Sequence, residues 1–346
     1  MRKFLASLLV FVCAVSIFGC MKTDIPTTSE KESASSQKAE SKGLEYELIR
    51  RIKEPSFEEE RDEVLEEMPE VDIESVFGSE EEEYEVIESY AVVGIGSCTD
   101  SEITVPAMHN GLPVTEIGVR AFDGCKGLTE IDLPSTITTI GHSAFAGCSA
   151  LEKIIFPAGI TEIADYCFYK CVALTEMEIP KGVTKIGEEA FRYCTGLKNI
   201  VFSDTVAEIG KGAFYGCTGL KSLTIGKGVL SIGDEAFFNC EGLTKVTLSQ
   251  SVVSIGHRAF YYCHSLTAVT ITAGVSSIGR NAFFLCNNLK RVTFEDITTW
   301  YRTESYDGWS KKEGGTKTDV SRQEENVPYF TNDTAEPLEY CWYKTE

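Results

Sequence analysis

The chain has 346 residues, enough for two ordinary domains, and 43% of them are hydrophobic, enough for a sizeable core. Its formal net charge is −21, and most of the acidic excess lies before residue 90. So acidic a chain repels nucleic acid and anionic lipid headgroups, which excludes both as expected partners.

Residues 1–19 have the features of a signal peptide. A basic pair precedes the apolar stretch Phe4–Phe18, which is too short to span a ~30 Å hydrocarbon core comfortably. The stretch ends in Gly19-Cys20, which resembles a bacterial lipobox, although Phe18 is bulkier than the usual residue there. The resemblance implies that Cys20 is lipidated and anchors the protein to a membrane of the bacterial cell envelope. Cleavage elsewhere, with Cys20 an ordinary thiol, is the alternative.

Residues 20–89 are predicted to form an acidic, largely disordered tether. Their first part is rich in Ser, Thr, Lys and Glu, and their second part carries Glu blocks such as Glu80–Glu83. Such segments are solvated and self-repelling, and they bury no core. Leu48, Ile49 and Ile52 suggest short, weak helices. A spacer that lifts the next domain off the membrane is the simplest interpretation, and an acidic docking segment is the alternative.

Residues 90–296 repeat with a period of 23. An Ile recurs eight times at this interval, from Ile117 to Ile278, each followed at fixed distances by an Ala-Phe pair, a Cys and a Leu, with Cys167 replacing one Ala. The Leu-x-x-Ile-x-Leu segment alternates with period two and predicts a short strand. The Ala-Phe-x-x-Cys segment predicts a single helical or 3-10 turn. One unit leaves two apolar sides bare, so the units must stack.

This unit, Ile-Gly-x-x-Ala-Phe-x-x-Cys-x-x-Leu-x-x-Ile-x-Ile-Pro, resembles that of the bacterial BspA-like leucine-rich-repeat family over residues 91–295. It departs from the pattern at Ile163-Ala164 and in the later units, which lose the Pro. The expected fold class is an α/β solenoid: a right-handed leucine-rich-repeat coil with a parallel strand wall, short helical or 3-10 turns on the other side, and irregular caps. The resemblance also implies an N-terminal capping unit before Val114, a C-terminal cap over residues 297–346, and adherence to host matrix proteins or other bacteria.

The cysteines and histidines favour packing over chemistry. Eight of the 13 cysteines follow the repeat and are predicted to be reduced and buried, while Cys98 and Cys341 belong to opposite caps, too far apart to pair. No His belongs to a catalytic triad or a zinc-binding pair, and no phosphate-binding loop is present. We therefore expect no catalysis, metal or cofactor. The ladder and the histidines are Cys125, Cys148, Cys171, Cys194, Cys217, Cys240, Cys263 and Cys286, and His109, His142, His257 and His264.

Two surface stripes follow the repeat. The strand wall presents outward pairs that are either ordinary sheet formers or the contacts of a ligand on a concave face. Its predicted polar contacts are Lys153, Glu176, Glu178, Lys245 and Arg291. An aromatic stripe follows the Ala-Phe pairs and is either packing or a patch for a protein partner. Its members are Tyr169, Tyr193, Tyr215, Phe238, Tyr261, Tyr262 and Phe284.

Together these features predict a lipid-anchored protein of the bacterial cell envelope, facing the outer surface, that binds a protein or glycan ligand outside the cell. A structural or scaffolding protein acting in the periplasm is the alternative. Release of the repeat domain when intact cells are treated with protease would separate the two.

Overall fold

The structure is a computed structural model that describes residues 40–53, 85–96, 99–297, 300–303, 316–321, 326–331 and 341–344. The predicted signal peptide, the lipidation site Cys20, Cys98 and much of the predicted tether lie outside these residues. Within the described part, no helix combines the length and the apolar character needed to cross a membrane.

The repeat forms a β-solenoid in which each coil contributes one strand to a wall of nine parallel strands. We call the outer face of these strands the strand wall. The strands pair in register one coil apart within one sheet of three strands and three sheets of two, as where Thr224 faces Thr247. In strands such as Glu176–Glu178 and Ser222–Thr224 a buried residue lies between two exposed ones, because successive side chains point to opposite faces. The nine strands are β3 Glu102–Thr104, β6 Glu130–Asp132, β8 Lys153–Ile154, β10 Glu176–Glu178, β12 Asn199–Val201, β14 Ser222–Thr224, β16 Lys245–Thr247, β18 Ala268–Ile271 and β20 Arg291–Phe294.

A second parallel ladder, which the sequence analysis did not predict, runs along the recurring Ile. Each of its short strands ends on this buried Ile, and the residue after the Ile touches the backbone of the preceding coil. A Cβ on Gly210 would lie 2.7 Å from the carbonyl carbon of Gly187. Close approach of neighbouring coils therefore explains the small residue of the Ile-Gly motif. The strands are β5 Leu112–Ile117, β7 Thr139–Ile140, β9 Glu162–Ile163, β11 Lys185–Ile186, β13 Glu208–Ile209, β15 Ser231–Ile232, β17 Ser254–Ile255 and β19 Ser277–Ile278.

The predicted helical or 3-10 turns are wrong, and with them the α/β class. In the Ala-Phe-x-x-Cys segment the backbone N–H groups alternate between two kinds of partner. Ala213 donates to Gly210 within its own coil, whereas Phe214 donates to Ala236 of the next coil. A helix would direct every N–H along its own axis, so the bonds between coils exclude it. The alternation places residues such as Tyr193 and Leu285 at positive φ. This backbone conformation is strained for residues other than glycine, and the hydrogen bonds between coils offset the strain energy.

The core is a column of equivalent side chains. Eight phenylalanines, from Phe122 to Phe283, stack with ring centroids 5.1–5.4 Å apart, and all are fully buried. Seven of the eight ladder cysteines are buried as predicted, and each thiol donates to the Phe carbonyl of the preceding coil, as Cys217 does to Phe191 at 3.2 Å. Cys125 is only half-buried, because no earlier Ala-Phe unit covers it.

Additional strands close both ends of the solenoid, and most of their pairings are antiparallel. At the N-terminal end β1 Glu45–Lys53 pairs with β2 Glu85–Gly94, which pairs with β5, and β4 Met108–His109 folds back on β5. The weak helices expected around Leu48 are therefore wrong, because pairing with β2 holds this segment extended. The boundary drawn at residue 89 falls inside β2. At the C-terminal end β23 Cys341–Lys344 pairs with β19 and with β21 Trp300–Thr303. Strand β21 also pairs with β22 Thr316–Thr318. Phe330 of the short helix α1 Val327–Thr331 packs against Phe283.

Candidate ligand-binding surface

The five predicted contact residues all lie exposed on the strand wall, but they do not converge on one spot. We number the coils 1 to 8 by the strands β6, β8, β10, β12, β14, β16, β18 and β20. Lys153 belongs to coil 2 and Arg291 to coil 8. Six coil steps at ~4.8 Å separate them by about 29 Å. The wall is therefore an extended surface, and none of the ion pairs between described residues uses these five side chains.

A third exposed column of the wall was missed by the sequence analysis. It is the residue directly after each Leu, just before the strand, and it adds charge at Glu152, Lys198, Lys221 and Lys290. The period of 23 could have revealed this column. It went unnoticed because strict alternation with the buried Ile places it on the inner face, whereas the structure shows it exposed and just outside the strand.

Charge on the strand wall is segregated along the solenoid. In the three exposed columns, strand β3 and coils 1 to 3 carry six acidic side chains and a single base, Lys153. In the same columns, coils 4 to 8 carry five basic side chains and no acidic one. We call these the acidic half and the basic half. The acidic side chains are Glu102, Glu130, Asp132, Glu152, Glu176 and Glu178, and the basic ones are Lys198, Lys221, Lys245, Lys290 and Arg291.

The aromatic stripe is half-buried except at the exposed Tyr262. Its first rings, Tyr169, Tyr193 and Tyr215, meet edge to face, and the four rings from Tyr215 to Phe284 stack on one another. Tyr215 stacks on Phe238 at 4.5 Å between ring centroids, Phe238 on Tyr261 at 4.8 Å, and Tyr261 on Phe284 at 5.2 Å, with interplanar angles of 5°, 6° and 20°. Rings stacked along the solenoid in this way turn their edges to solvent. Their faces are therefore occupied by neighbouring rings and are not available to stack on a ligand.

In the N-terminal part of this stripe, basic side chains and a carboxylate contact the rings and one another. The guanidinium of Arg192 lies 4.2 Å from the ring centroid of Tyr215 and 2.5 Å from a carboxylate oxygen of Glu189. Burial by itself lowers the pKa of Arg192, but hydrogen bonds to Tyr193 and Glu189 raise it above its ordinary value. Burial raises the pKa of Tyr215, so its hydroxyl stays protonated near neutral pH. These contacts lie within the protein and stabilise the turns.

The ladder thiols lie in an environment that suppresses their reactivity. Burial raises the pKa values of Cys148, Cys194 and Cys240 to about 12, so the thiolate is scarce near neutral pH. Cys341 of the C-terminal cap is also buried, and burial raises its pKa. All the described cysteines are free. Across the described ranges, no group of three or more His, Cys, Asp and Glu side chains is placed to hold a metal ion.

These features define the class: a leucine-rich-repeat β-solenoid whose exposed side chains stand on regular strands. The model of the BspA type leucine rich repeat region matches in six copies over residues 115–240 and 184–307, together more than half of the chain. The chain therefore belongs to the BspA-type leucine-rich-repeat family. No curated protein is significantly similar to it.

Solved structures similar to this chain include two bacterial leucine-rich-repeat proteins. The Treponema pallidum leucine rich repeat protein TpLRR is 29% identical, with a TM-score of 0.48, over 58% of this chain and 83% of its own. A leucine rich cell surface protein from Faecalibacterium prausnitzii is 30% identical, with a TM-score of 0.48, over 68% of this chain and 57% of its own. This chain thus matches little more than half of the second protein.

Proposed function

We propose that this protein is a lipid-anchored, non-enzymatic component of the bacterial cell envelope that binds a protein or glycan ligand on its strand wall. Adhesion to host matrix or to other cells is the activity that this arrangement serves. Membership of the repeat family supports a binding role, because solenoids of this kind offer long, regular surfaces to their partners. Lipidation at Cys20 would place the repeat domain at the end of an acidic tether.

One observation carries the choice of face: the strand wall is exposed over nine strands, whereas four of the seven rings of the aromatic stripe are stacked on one another. Lys153, Glu176, Glu178, Lys245 and Arg291 are exposed and make none of the ion pairs between described residues. Side chains in that condition can change partners without loss of packing. The stripe would have to break ring contacts of 4.5–5.2 Å to receive a ligand.

Two sets of substitutions test the choice of face. The wall set is Lys153→Ala, Glu176→Ala, Lys245→Ala and Arg291→Ala, and the stripe set is Tyr169→Ala, Tyr215→Ala and Tyr261→Ala. Binding is measured to immobilised matrix proteins and to host cells, with folding checked by circular dichroism. We expect the wall set to stay folded, with each change within about ±0.5 kcal/mol, and to lose binding by roughly thirtyfold, or ~2 kcal/mol. Loss of binding in the folded stripe set alone would contradict the assignment.

The anchor is tested separately. Cys20→Ala should abolish incorporation of radiolabelled palmitate and move the protein out of the detergent phase, because a lipid chain supplies the affinity for membrane. A mutant that still partitions with membranes would show that Cys20 is not the anchor. Protease treatment of intact cells should release the repeat domain. Its resistance on intact cells, with cleavage after the outer membrane is opened, would favour the periplasmic scaffold instead.

A further inference from the structure

The basic half of the strand wall is positively charged, although the whole chain has a net charge of −21. Coils 4 to 8 present four lysines and one arginine in the three exposed columns. The acids nearest its C-terminal end are engaged elsewhere, since Asp296 pairs with Lys344 at 2.9 Å and Glu295 accepts from Gln250 at 2.6 Å. Because charges more than ~8 Å away are largely screened at physiological ionic strength, the local sign decides what approaches this surface.

We infer that the basic half binds a linear anionic polysaccharide, carboxylated or sulfated, lying along the solenoid. This inference rests on the proposed function and names the ligand class for the same strand wall. The five basic side chains follow the stacking direction over four coil steps, about 19 Å at ~4.8 Å per step. A chain ligand that runs across the strands can therefore meet a cation at four of the five successive coils.

The remaining side chains of this half suit a sugar chain. Threonine, serine and asparagine occupy most of the positions between the basic residues. The hydroxyl of threonine or serine and the amide of asparagine can each donate and accept hydrogen bonds. They match the hydroxyl, carboxylate and sulfate groups of an acidic polysaccharide. These polar side chains are Asn199, Ser222, Thr224, Thr244, Thr247, Thr267, Thr270 and Thr293.

The same surface suits other macromolecules less well. Its three columns span about 10 Å, so over 19 Å it offers roughly 200 Å², far below the ~800 Å² that each partner of a stable protein complex buries. Among the described residues of these columns none is aromatic, whereas proteins that bind single-stranded nucleic acid stack its bases on aromatic rings.

The acidic half would limit where the polysaccharide lies. On this inference Glu176 and Glu178, two of the five predicted contacts, border the ligand and do not hold it. They stand directly before the basic half, and Glu176 is the strand partner of Asn199. A polyanion that extended past coil 4 would meet these carboxylates and be repelled. The bound stretch should therefore stop at this boundary.

The test measures binding of full-length protein in detergent to heparin and to polygalacturonate by calorimetry at 150 mM NaCl. Neutral dextran and oligo(dT) serve as comparison ligands. The triple variant Lys221→Gln, Lys245→Gln and Lys290→Gln removes three charges from the basic half. The matched control, Lys126→Gln, Lys185→Gln and Lys211→Gln, removes three charges from exposed positions off the strand wall.

We expect at least one acidic polysaccharide to bind, the basic-half variant to lose affinity by tenfold or more, and the control to change by less than threefold. Glu176→Gln with Glu178→Gln should bind severalfold more tightly. Failure of both acidic polysaccharides to bind the unmodified protein, or equal losses in the two triple variants, would overturn the inference. So would binding of oligo(dT) as tight as that of the polysaccharides and dependent on the same lysines.

Cell adherence of the same variants separates this inference from the proposed function. If the basic-half variant loses polysaccharide binding and adherence together, both stand. If it loses adherence but keeps polysaccharide binding, the strand wall has another ligand and only the inference fails. If variants of the whole strand wall adhere normally, the proposed function fails, whatever the polysaccharide does.

Discussion

Phe214 offers a quantitative test of how the solenoid is held together. Its ring is fully buried, stacked on Phe191 at 5.1 Å and on Phe237 at 5.2 Å, with Phe202 edge-on at 5.9 Å. Phe→Ala in a well-packed core costs about 3–5 kcal/mol, and here the rigid coils on either side leave little room for collapse. Phe214→Leu keeps much of the volume but loses two ring stacks, each worth about 0.5–1.5 kcal/mol, so it should cost about 1–3 kcal/mol, less than Phe214→Ala.

The matched control is Phe238→Ala, because Phe238 also stacks on two neighbours but is half-exposed. It should cost about 1–2 kcal/mol, since less apolar surface leaves water when it packs. Urea unfolding followed by circular dichroism measures both, with hydrogen exchange to show whether the amide of Phe214, which donates to Ala236, opens first. Equal losses in the two variants would refute the view that the inner phenylalanine column carries the stability.

Two further predictions concern the thiols and the glycines. Burial raises the pKa values of ladder thiols such as Cys240 to about 12, so as pH rises the unfolded chain loses these protons before the folded chain does. The free energy of unfolding should therefore fall steadily from about pH 9 to 12. A urea midpoint that does not change over this range would contradict the prediction. Native alkylation should label Cys125 before the buried thiols. Gly274→Ala should cost more than 2 kcal/mol, since its Cβ would lie 2.0 Å from the carbonyl oxygen of Gln250. Gly127→Ala, with nothing within 4 Å, should be neutral or stabilise by up to about 1 kcal/mol in thermal unfolding.

The sequence alone determined the repeat, its period and its inward-facing residues. Periodicity reports burial directly, because every coil must place the same apolar residues against the next. The column from Phe122 to Phe283, the inward cysteines and the strand wall were all accessible in this way. So was the exposure of the five predicted contacts, since their position two or four residues after each Leu alternates with the buried Ile.

The tertiary structure decided what depends on contacts between coils. The Ala-Phe-x-x-Cys segment has the length and composition of a helical turn, and only the next coil, which takes the N–H of Phe214, diverts it into alternating turns. The second ladder likewise arises because neighbouring coils bring one Ile strand beside another. The extended course of β1 depends on β2, more than 30 residues further along the chain. The exposed column holding Lys198 and Lys221 lies just outside the strands, so alternation within a strand did not assign it to the strand wall, although the period of 23 could have done so.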